Sequence, residues 1–389
     1  MTLTAVVGQA QALEGREAAA QATHRALDQI GRNQAVFGIV IASRYHAIQQ
    51  VLTGASTLLG DIPLLGLSTN AEITEDGQSQ RSVVVALLAG DGISVKADWW
   101  GGFGEDSRGV AQRMTQTLQL YHSDGTLLVV ADGFNGDAKQ FCAGLPAGEY
   151  TLAGCLAGGA LNQARTYQIG GRQSGTNGLA AALISGKVVT GVGYAHGWQT
   201  VGSYYRVTRS QGPWVRMLNE VSVAEAYSRL FKYPARQWAF PPLNELVRLY
   251  PLGIEQKASD PLLVRSPLRM ETDGSLRMNT LIPEGATAHL LVGSIQNCLE
   301  AAKQAAQAAI DSLNGARPVL ALIFADIAWQ MLFESNAGQE LQVIREVLGP
   351  DVPIAGGYTF GQIARVNKEK KSAPELLNQQ IEIVLFGAP

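Results

Sequence analysis

Three stretches of this 389-residue chain follow one plan, and a repeat constrains architecture more tightly than any local propensity. The first runs from the apolar segment Val36-Phe37-Gly38-Ile39-Val40-Ile41 through a helix-like stretch with Val51 and Leu58. It continues as Pro63-Leu64-Leu65-Gly66-Leu67-Ser68-Thr69-Asn70-Ala71-Glu72-Ile73 and ends on the apolar residues 83–88. The last copy runs from residues 318–324 through Leu341 and Leu348 to Pro353-Ile354-Ala355-Gly356-Gly357-Tyr358-Thr359-Phe360-Gly361-Gln362-Ile363, then 381–386. A looser middle copy spans 126–133, a short helix, 151–159 and a strand near 179–183. Each opens on an apolar run too short and β-rich for a helix, crosses over by a helix and returns as a second apolar run. That is a β-α-β unit, and such crossovers imply parallel neighbours covered by helices. The Gly-rich turns after each second strand should gather at one end of a sheet, where open α/β sheets bind ligands.

Between residues 191 and 291 the pattern changes to short strands broken by Pro and Gly, at 203–208, 262–265 and 276–278, with Asp273-Gly274 as a hairpin signal. The expected fold class is therefore α/β with mixed sheets, built of repeated β-α-β units with an antiparallel β-rich middle segment. Pro234, Pro241, Pro242 and Pro251 mark a seam. It divides the chain into a helical lead-in at 1–30, a first module at 31–232 and a second at 233–389. From Ser294 a stripe of Ile295, Cys298, Leu299, Ala302, Ala305, Ala306 and Ala309 predicts a scaffold helix closed by Gly315.

Composition narrows the class of partner. At 46% apolar and 16% charged residues, against roughly 25% charged on average, the chain can bury a large core, and disorder is excluded as its dominant state. The formal charge of −3 gives no basic face for a phosphate backbone, so nucleic acid is not an expected partner. Cys142, Cys155 and Cys298 make neither a paired disulfide framework nor a zinc signature, which fits a reducing cytoplasm. The N-terminus lacks the pattern of a signal peptide. The longest apolar stretch, 319–333, carries Asp326 and Gln330, so membrane insertion is not expected. No G-x-S-x-G, H-E-x-x-H or G-x-x-x-x-G-K-[ST] motif is present.

Several segments resemble the FIST family, a pair of adjoining modules, FIST N and FIST C, found in sensory proteins. The likeness covers roughly residues 30 to 370. In the first module it lies in the 63–73 turn, in His196-Gly197-Trp198 and in Val207-Thr208-Arg209. In the second it lies in Pro251-Leu252-Gly253-Ile254, Val264-Arg265-Ser266-Pro267-Leu268, Asp273-Gly274-Ser275-Leu276 and Ile282-Pro283-Glu284-Gly285. Two departures stand out. Phe324-Ala325-Asp326-Ile327-Ala328-Trp329-Gln330 replaces a Ser-Cys pair with a later Arg, and Gly357-Tyr358-Thr359-Phe360-Gly361-Gln362 lacks the family's closing Glu. They imply a different ligand or a degenerate second site.

The resemblance implies small-ligand sensing, with amino-acid-like ligands suggested for the family, and the lack of a catalytic motif gives the expectation that the chain is not an enzyme. It also implies similarity to a free-standing branch of nitric-oxide-sensing haem proteins that signal to histidine kinases. With no kinase, cyclase or methyl-acceptor region attached, output is expected through a separate partner such as a histidine kinase, and homo-oligomer formation is a further expectation. Haem b would need an axial ligand. His196, beyond a β-like run and beside Trp198, ranks first, and His46, near the end of the first predicted strand, ranks second. A polar ligand would meet Ser43, Arg44, Ser68, Thr69, Asn70 and Glu72, the equivalent Tyr358, Thr359 and Gln362, and Asp132 of the middle copy. The same Ser, Thr and Asn residues are also ordinary turn and cap formers. A metabolite sensor without haem would use Arg44 and the 68–72 turn, whereas an enzyme would use Cys155 or Asp326 as its reactive group.

Overall fold

The computed structural model describes residues 3–30, 35–159, 165–256, 261–365 and 372–389. The first repeat comprises β1 (Thr4–Gln11), α1 (Gly15–Ile30), β2 (Ala35–Ser43), α2 (Ile48–Leu59), β3 (Leu64–Thr69), a hairpin of β4 (Glu72–Thr74) and β5 (Gly77–Ser79), and β6 (Ser82–Ala89). The second repeats that order: β7 (Ile93–Gly101), α3 (Ser107–Leu118), β8 (Thr126–Ala131), α4 (Ala138–Gly144), β9 (Thr151–Leu156), the β10 (Gln168–Gly170) and β11 (Gln173–Gly175) hairpin, and β12 (Gly178–Gly186).

The third begins with β13 (Val189–Ala195) and is interrupted by an insertion. The inserted elements are β14 (Trp198–Gln211), β15 (Trp214–Leu218), β16 (Val221–Ser222), α5 (Val223–Phe231), α6 (Ala235–Trp238), α7 (Leu243–Leu246), β17 (Leu252–Ile254), β18 (Leu263–Arg265), β19 (Pro267–Met270), β20 (Leu276–Met278) and β21 (Thr287–Gly293). The repeat then resumes with α8 (Ile295–Asp311), β22 (Arg317–Asp326), α9 (Ile327–Phe333), α10 (Gln339–Leu348), β23 (Ile354–Thr359), the β24 (Gly361–Arg365) and β25 (Pro374–Leu377) hairpin, and β26 (Ile381–Ala388).

The three repeats form three six-stranded sheets of identical plan, ordered β1-β6-β2-β3-β10-β11, β7-β12-β8-β9-β24-β25 and β13-β26-β22-β23-β4-β5. In each, the last two strands are a hairpin lent by another repeat. The first repeat lends to the third, the third to the second and the second to the first, so the exchange is cyclic. The mixed α/β class expected from the sequence is what the structure shows. Among the described residues, however, parallel pairing is confined to β2 with β3, β8 with β9 and β22 with β23, and the other strand pairs are antiparallel. Residues 1–30, expected as a helical lead-in, supply α1 but also β1, which pairs antiparallel with β6 along its whole length.

One face of every sheet points to a shared centre where Ile39, Ile41 and Leu67 meet Leu128, Val130 and Ala153, and Leu322, Phe324 and Val384. The other face carries helices: α1 and α2 on the first sheet, α3 and α4 on the second, and α8 to α10 on the third. Strands buried on both faces read as unbroken apolar runs, which is why the repeat was visible. The insertion forms an antiparallel sheet in the order β18-β17-β21-β14-β15-β20-β19, with its own core around Val207, Tyr227, Trp238 and Leu290. It leaves and rejoins the third repeat side by side, since Trp198 pairs with Gly293. Among the described residues no helix is long and apolar enough to cross a membrane.

Candidate ligand site

The parallel registers align Gly66, Gly154 and Gly356, which face Val40, Val129 and Ile323 in the neighbouring strands. This alignment makes Asn70, Gly158 and Phe360 equivalent, as the residues that leave the second parallel strand of each repeat. Their backbone N–H groups close a ring. Asn70 donates to the Tyr358 carbonyl (3.0 Å), Phe360 to that of Leu156 (3.0 Å) and Gly158 to that of Ser68 (2.8 Å). The three glycine-containing corners therefore converge on one axis. They are also tightly packed, because a Cβ at Gly158 would stand 2.2 Å from the Tyr358 carbonyl oxygen.

Most of the polar side chains expected to face a ligand there bond to the protein itself. Ser68 Oγ donates to the Gly158 carbonyl (2.7 Å) and accepts from Tyr167 N (3.0 Å), and Thr69 Oγ1 donates to Glu72 (2.8 Å). Glu72 also accepts from the backbone and hydroxyl of Ser82 (3.0 and 2.8 Å), and burial pushes its carboxyl up to about 7. Tyr358 donates to buried Glu340, and Thr359 donates to the Ala325 carbonyl (3.3 Å). Gln362 Nε2 reaches Thr359 and the Phe324 carbonyl, both at 3.3 Å, and leaves its Oε1 unpartnered. Asn70 Nδ2 bonds Gln330 while its Oδ1 is unpartnered. Arg44 lies against the Tyr45 ring and bonds its hydroxyl (2.7 Å).

The first parallel strand of each repeat, β2, β8 or β22, leads to a third set of equivalent positions, Ser43, Asp132 and Asp326. Each caps the turn that follows. Ser43 Oγ accepts from Tyr45 N (3.5 Å), Asp132 Oδ1 from Phe134 N (2.8 Å), and Asp326 Oδ1 from Ala328 N (2.9 Å). Asp132 Oδ2 is taken by Asn177 N (2.9 Å), so both of its oxygens are occupied. Asp326 Oδ2 accepts from Gln379 N (3.0 Å).

Both candidate haem ligands are engaged as well. Burial lowers the pKa of each imidazole, which favours the neutral form. Trp198 N donates to His196 Nδ1 (3.3 Å), placing the ring proton on Nε2, the nitrogen that an iron would need. His46 Nε2 lies 3.3 Å from the Arg81 carbonyl and donates there. As they stand, these donors do not fit haem iron. Among the described residues, no group of three or more His, Cys, Asp and Glu side chains could hold a metal ion. The cysteines are all buried, and burial pushes the Cys155 thiol well above its ordinary range and Cys298 up to about 12, so neither offers a thiolate.

Open space lies elsewhere, at the seam between the third repeat and the insertion. A cleft of about 460 Å³ is lined by Tyr194, His196, Leu262, Leu263, Gln304 and Gln380, with the Arg265–Glu375 ion pair (2.7 Å) at its edge. On the Asn378-Gln379 side of the same 377–380 segment stands Arg248, fully buried in the turn 247–249. Neither Arg248 nor Asn378 stood out in the sequence. Arg248 reads as one charge in the short apolar stretch Leu246-Val247-Arg248-Leu249, and only the proximity of the Pro-rich seam could have pointed to it.

Set against known proteins, residues 36–220 match the family model for the FIST N domain and residues 224–365 that for the FIST C domain. No curated protein matches the sequence. Among solved structures, a cyanuric acid hydrolase aligns over 100% of both chains at 7% identity and a TM-score of 0.37. A chorismatase aligns over 100% of both at 10% identity and 0.35. A cyanuric acid hydrolase from A. caulinodans is similar over 48% of this chain and 71% of its own, at 10% identity and 0.27. Likeness at this level carries no argument about fold or activity.

Proposed function

The chain belongs to the FIST family, whose two modules together match most of its length, and on that premise we propose that it is a small-ligand sensor reading its ligand at the seam of the third repeat and the insertion. The observation that carries this placement is the 460 Å³ cleft. Its size and its mixture of apolar walls with a few polar groups suit a small molecule. Gln380 brings a buried Oε1 without a partner, and His196 brings a neutral imidazole. A ligand here touches both the inserted strands and the β24–β25 hairpin that completes the second sheet, so binding would bias how the insertion sits against the repeats. The output passes to a separate partner, with a histidine kinase as the expectation the family resemblance supplies. The haem and nitric-oxide version gains no support from the donor set, because both imidazoles would have to give up existing hydrogen bonds.

The test is a thermal-shift screen of the full chain against amino acids, organic acids and other small metabolites, since a saturating ligand stabilises the folded state by mass action. Leu263→Trp fills the cleft from a partly exposed position. It is expected to abolish the stabilisation by any hit while leaving the melting temperature of the free protein within about 2 °C. A hit that Leu263→Trp leaves intact, or a panel with no hits, counts against the seam as the sensing site.

A further inference from the structure

Arg248 is fully buried, and none of its three guanidinium nitrogens has a hydrogen-bond partner. Among the described residues two other arginines are buried, and each has at least one bonded guanidinium nitrogen: Arg365 gives Nη1 to the Ser372 carbonyl, and Arg265 is paired more fully. Arg265 gives Nη2 to Glu375 and Nη1 to the Leu376 carbonyl, both at 2.7 Å. Nothing comparable exists at Arg248. Asp326 lies near enough to be felt electrostatically, but its oxygens are held by Ala328 N and Gln379 N and bond no guanidinium nitrogen. Leaving a buried charge without a bonded partner is among the costliest features a fold can carry.

The groups around Arg248 come from both sides of the seam. Gln379 Nε2 holds the Arg248 carbonyl (2.6 Å) and Ser266 Oγ (3.2 Å), and Ser266 N donates to Asn378 Oδ1 (3.4 Å). That bond leaves Asn378 Nδ2, a buried donor, with no partner either. Phe360, one of the three residues in the axial ring of hydrogen bonds, presents its ring 5.1 Å from the guanidinium carbon. Phe134, partly exposed, meets Phe360 edge-on at 4.7 Å, so a file of rings runs from the charge towards the surface. A planar guanidinium with its fork unused, a second unused amide donor and an aromatic platform make a recognition set for a planar anion.

We infer that Arg248 is the anchor for the carboxylate of a small organic acid, with the unused amide of Asn378, on the adjoining segment that Gln379 ties to the Arg248 carbonyl, as a further donor. The inference goes beyond the cleft reading and stands without it, because Arg248, Asn378, Phe360 and Phe134 are not among the residues that line the cleft. A carboxylate would satisfy the guanidinium bidentately and replace a buried, unbonded charge with a bonded pair. Asp326 and the ligand would then flank the same cation.

The experiment measures melting of the full chain in acetate and benzoate, against acetamide and benzamide, at constant ionic strength. At a hundredfold excess over Kd the carboxylates are expected to raise the melting temperature by about 3 °C, and the amides to leave it unchanged. Arg248→Met is expected to abolish the rise, measured from the variant's own melting temperature without ligand, since losing the guanidinium also removes the positive charge that offsets buried Asp326. Should that variant fail to fold, Arg248→Lys keeps the charge without the fork, and a response weakened tenfold or more supports the anchor. No rise in the native chain overturns the proposal, as does an equal rise in either Arg248 variant. A carboxylate response lost in Leu263→Trp but retained in Arg248→Met would move the ligand to the cleft, which sustains the seam reading and overturns this one. Stabilisation by the amides alone would likewise overturn the anion class while leaving the cleft standing.

Discussion

Around the axis, Glu72 occupies the position that Gln168 and Gln362 fill in the other two repeats: each is the first or second residue of its lent hairpin and pairs with Gly357, Leu67 or Cys155 at the same register. All three are buried, and each bonds a threonine just upstream, Thr69, Thr166 or Thr359. Only the first is ionisable. Burial raises its carboxyl from 4.5 to about 7, so between those values the unfolded chain has lost the proton that the folded chain still holds. Stability contributed by this group is therefore full below about 4.5 and falls as pH rises to about 7, by an amount on the order of 3 kcal/mol. Glu72→Gln should remove that slope. Its amide can donate to Thr69 as Gln362 does to Thr359, while its oxygen accepts from Ser82. Urea unfolding at pH 5, 6, 7 and 8 checks this, and parallel curves for variant and native chain would contradict it. The same residues show what the sequence can convey about a site. The repeat brought Ser68, Thr69, Tyr358, Thr359 and Gln362 forward as one set, and they do converge, but residue type does not reveal whether a hydroxyl is free or already bonded. Arg248 was illegible for the opposite reason, since its significance lies in partners that are distant in sequence.

At the level of elements, the parallel strands are held close by glycine. A Cβ at Gly154 would stand 2.0 Å from the Val129 carbonyl oxygen, at Gly356 2.1 Å from that of Ile323, and at Gly66 2.7 Å from that of Val40. Each obstacle is backbone, which cannot swing aside as a flexible side chain would. Alanine at each site is expected to destabilise by roughly 2–4 kcal/mol, with Gly154→Ala and Gly356→Ala worse than Gly66→Ala, as read by chemical denaturation. Equal, negligible losses at all three would mean that the strands can separate at little cost. These elements were legible because strands buried on both faces write themselves as apolar runs, and the Ala-rich stripe of α8 likewise announced its buried side. β1 was not. It alternates small apolar residues with Gly8, Gln9 and Gln11 ahead of an Ala-rich helix, and its partner β6 lies some seventy residues away. The hairpin exchange was hidden for the same reason: three-residue strands such as β4 and β10 carry too little pattern to declare a partner in another repeat.

For the molecule as a whole, cyclic exchange makes each repeat dependent on the other two. Without its neighbours the first repeat would expose the open edge of β3, which β10 covers, and would extend β4 and β5 with no β23 to pair against. It would also bare Ile39, Ile41 and Leu67, which face the shared centre. An unpaired edge beside an apolar face is a template for association. The arrangement that satisfies every edge with one kind of chain is a closed threefold ring in which each copy lends its hairpin to the next, in the manner of a domain swap. A fragment of residues 1–91 expressed alone is therefore expected to form a concentration-dependent trimer, or to remain unfolded when dilute, and not to fold as a monomer. Light scattering coupled to size exclusion distinguishes these outcomes. A folded 1–91 monomer with a cooperative melting transition would show that the lent hairpins decorate sheets already stable by themselves. In the full chain the same dependence ties the seam of the third repeat and the insertion to the rest of the molecule, because the β24–β25 hairpin that borders the cleft is also the edge that completes the second sheet.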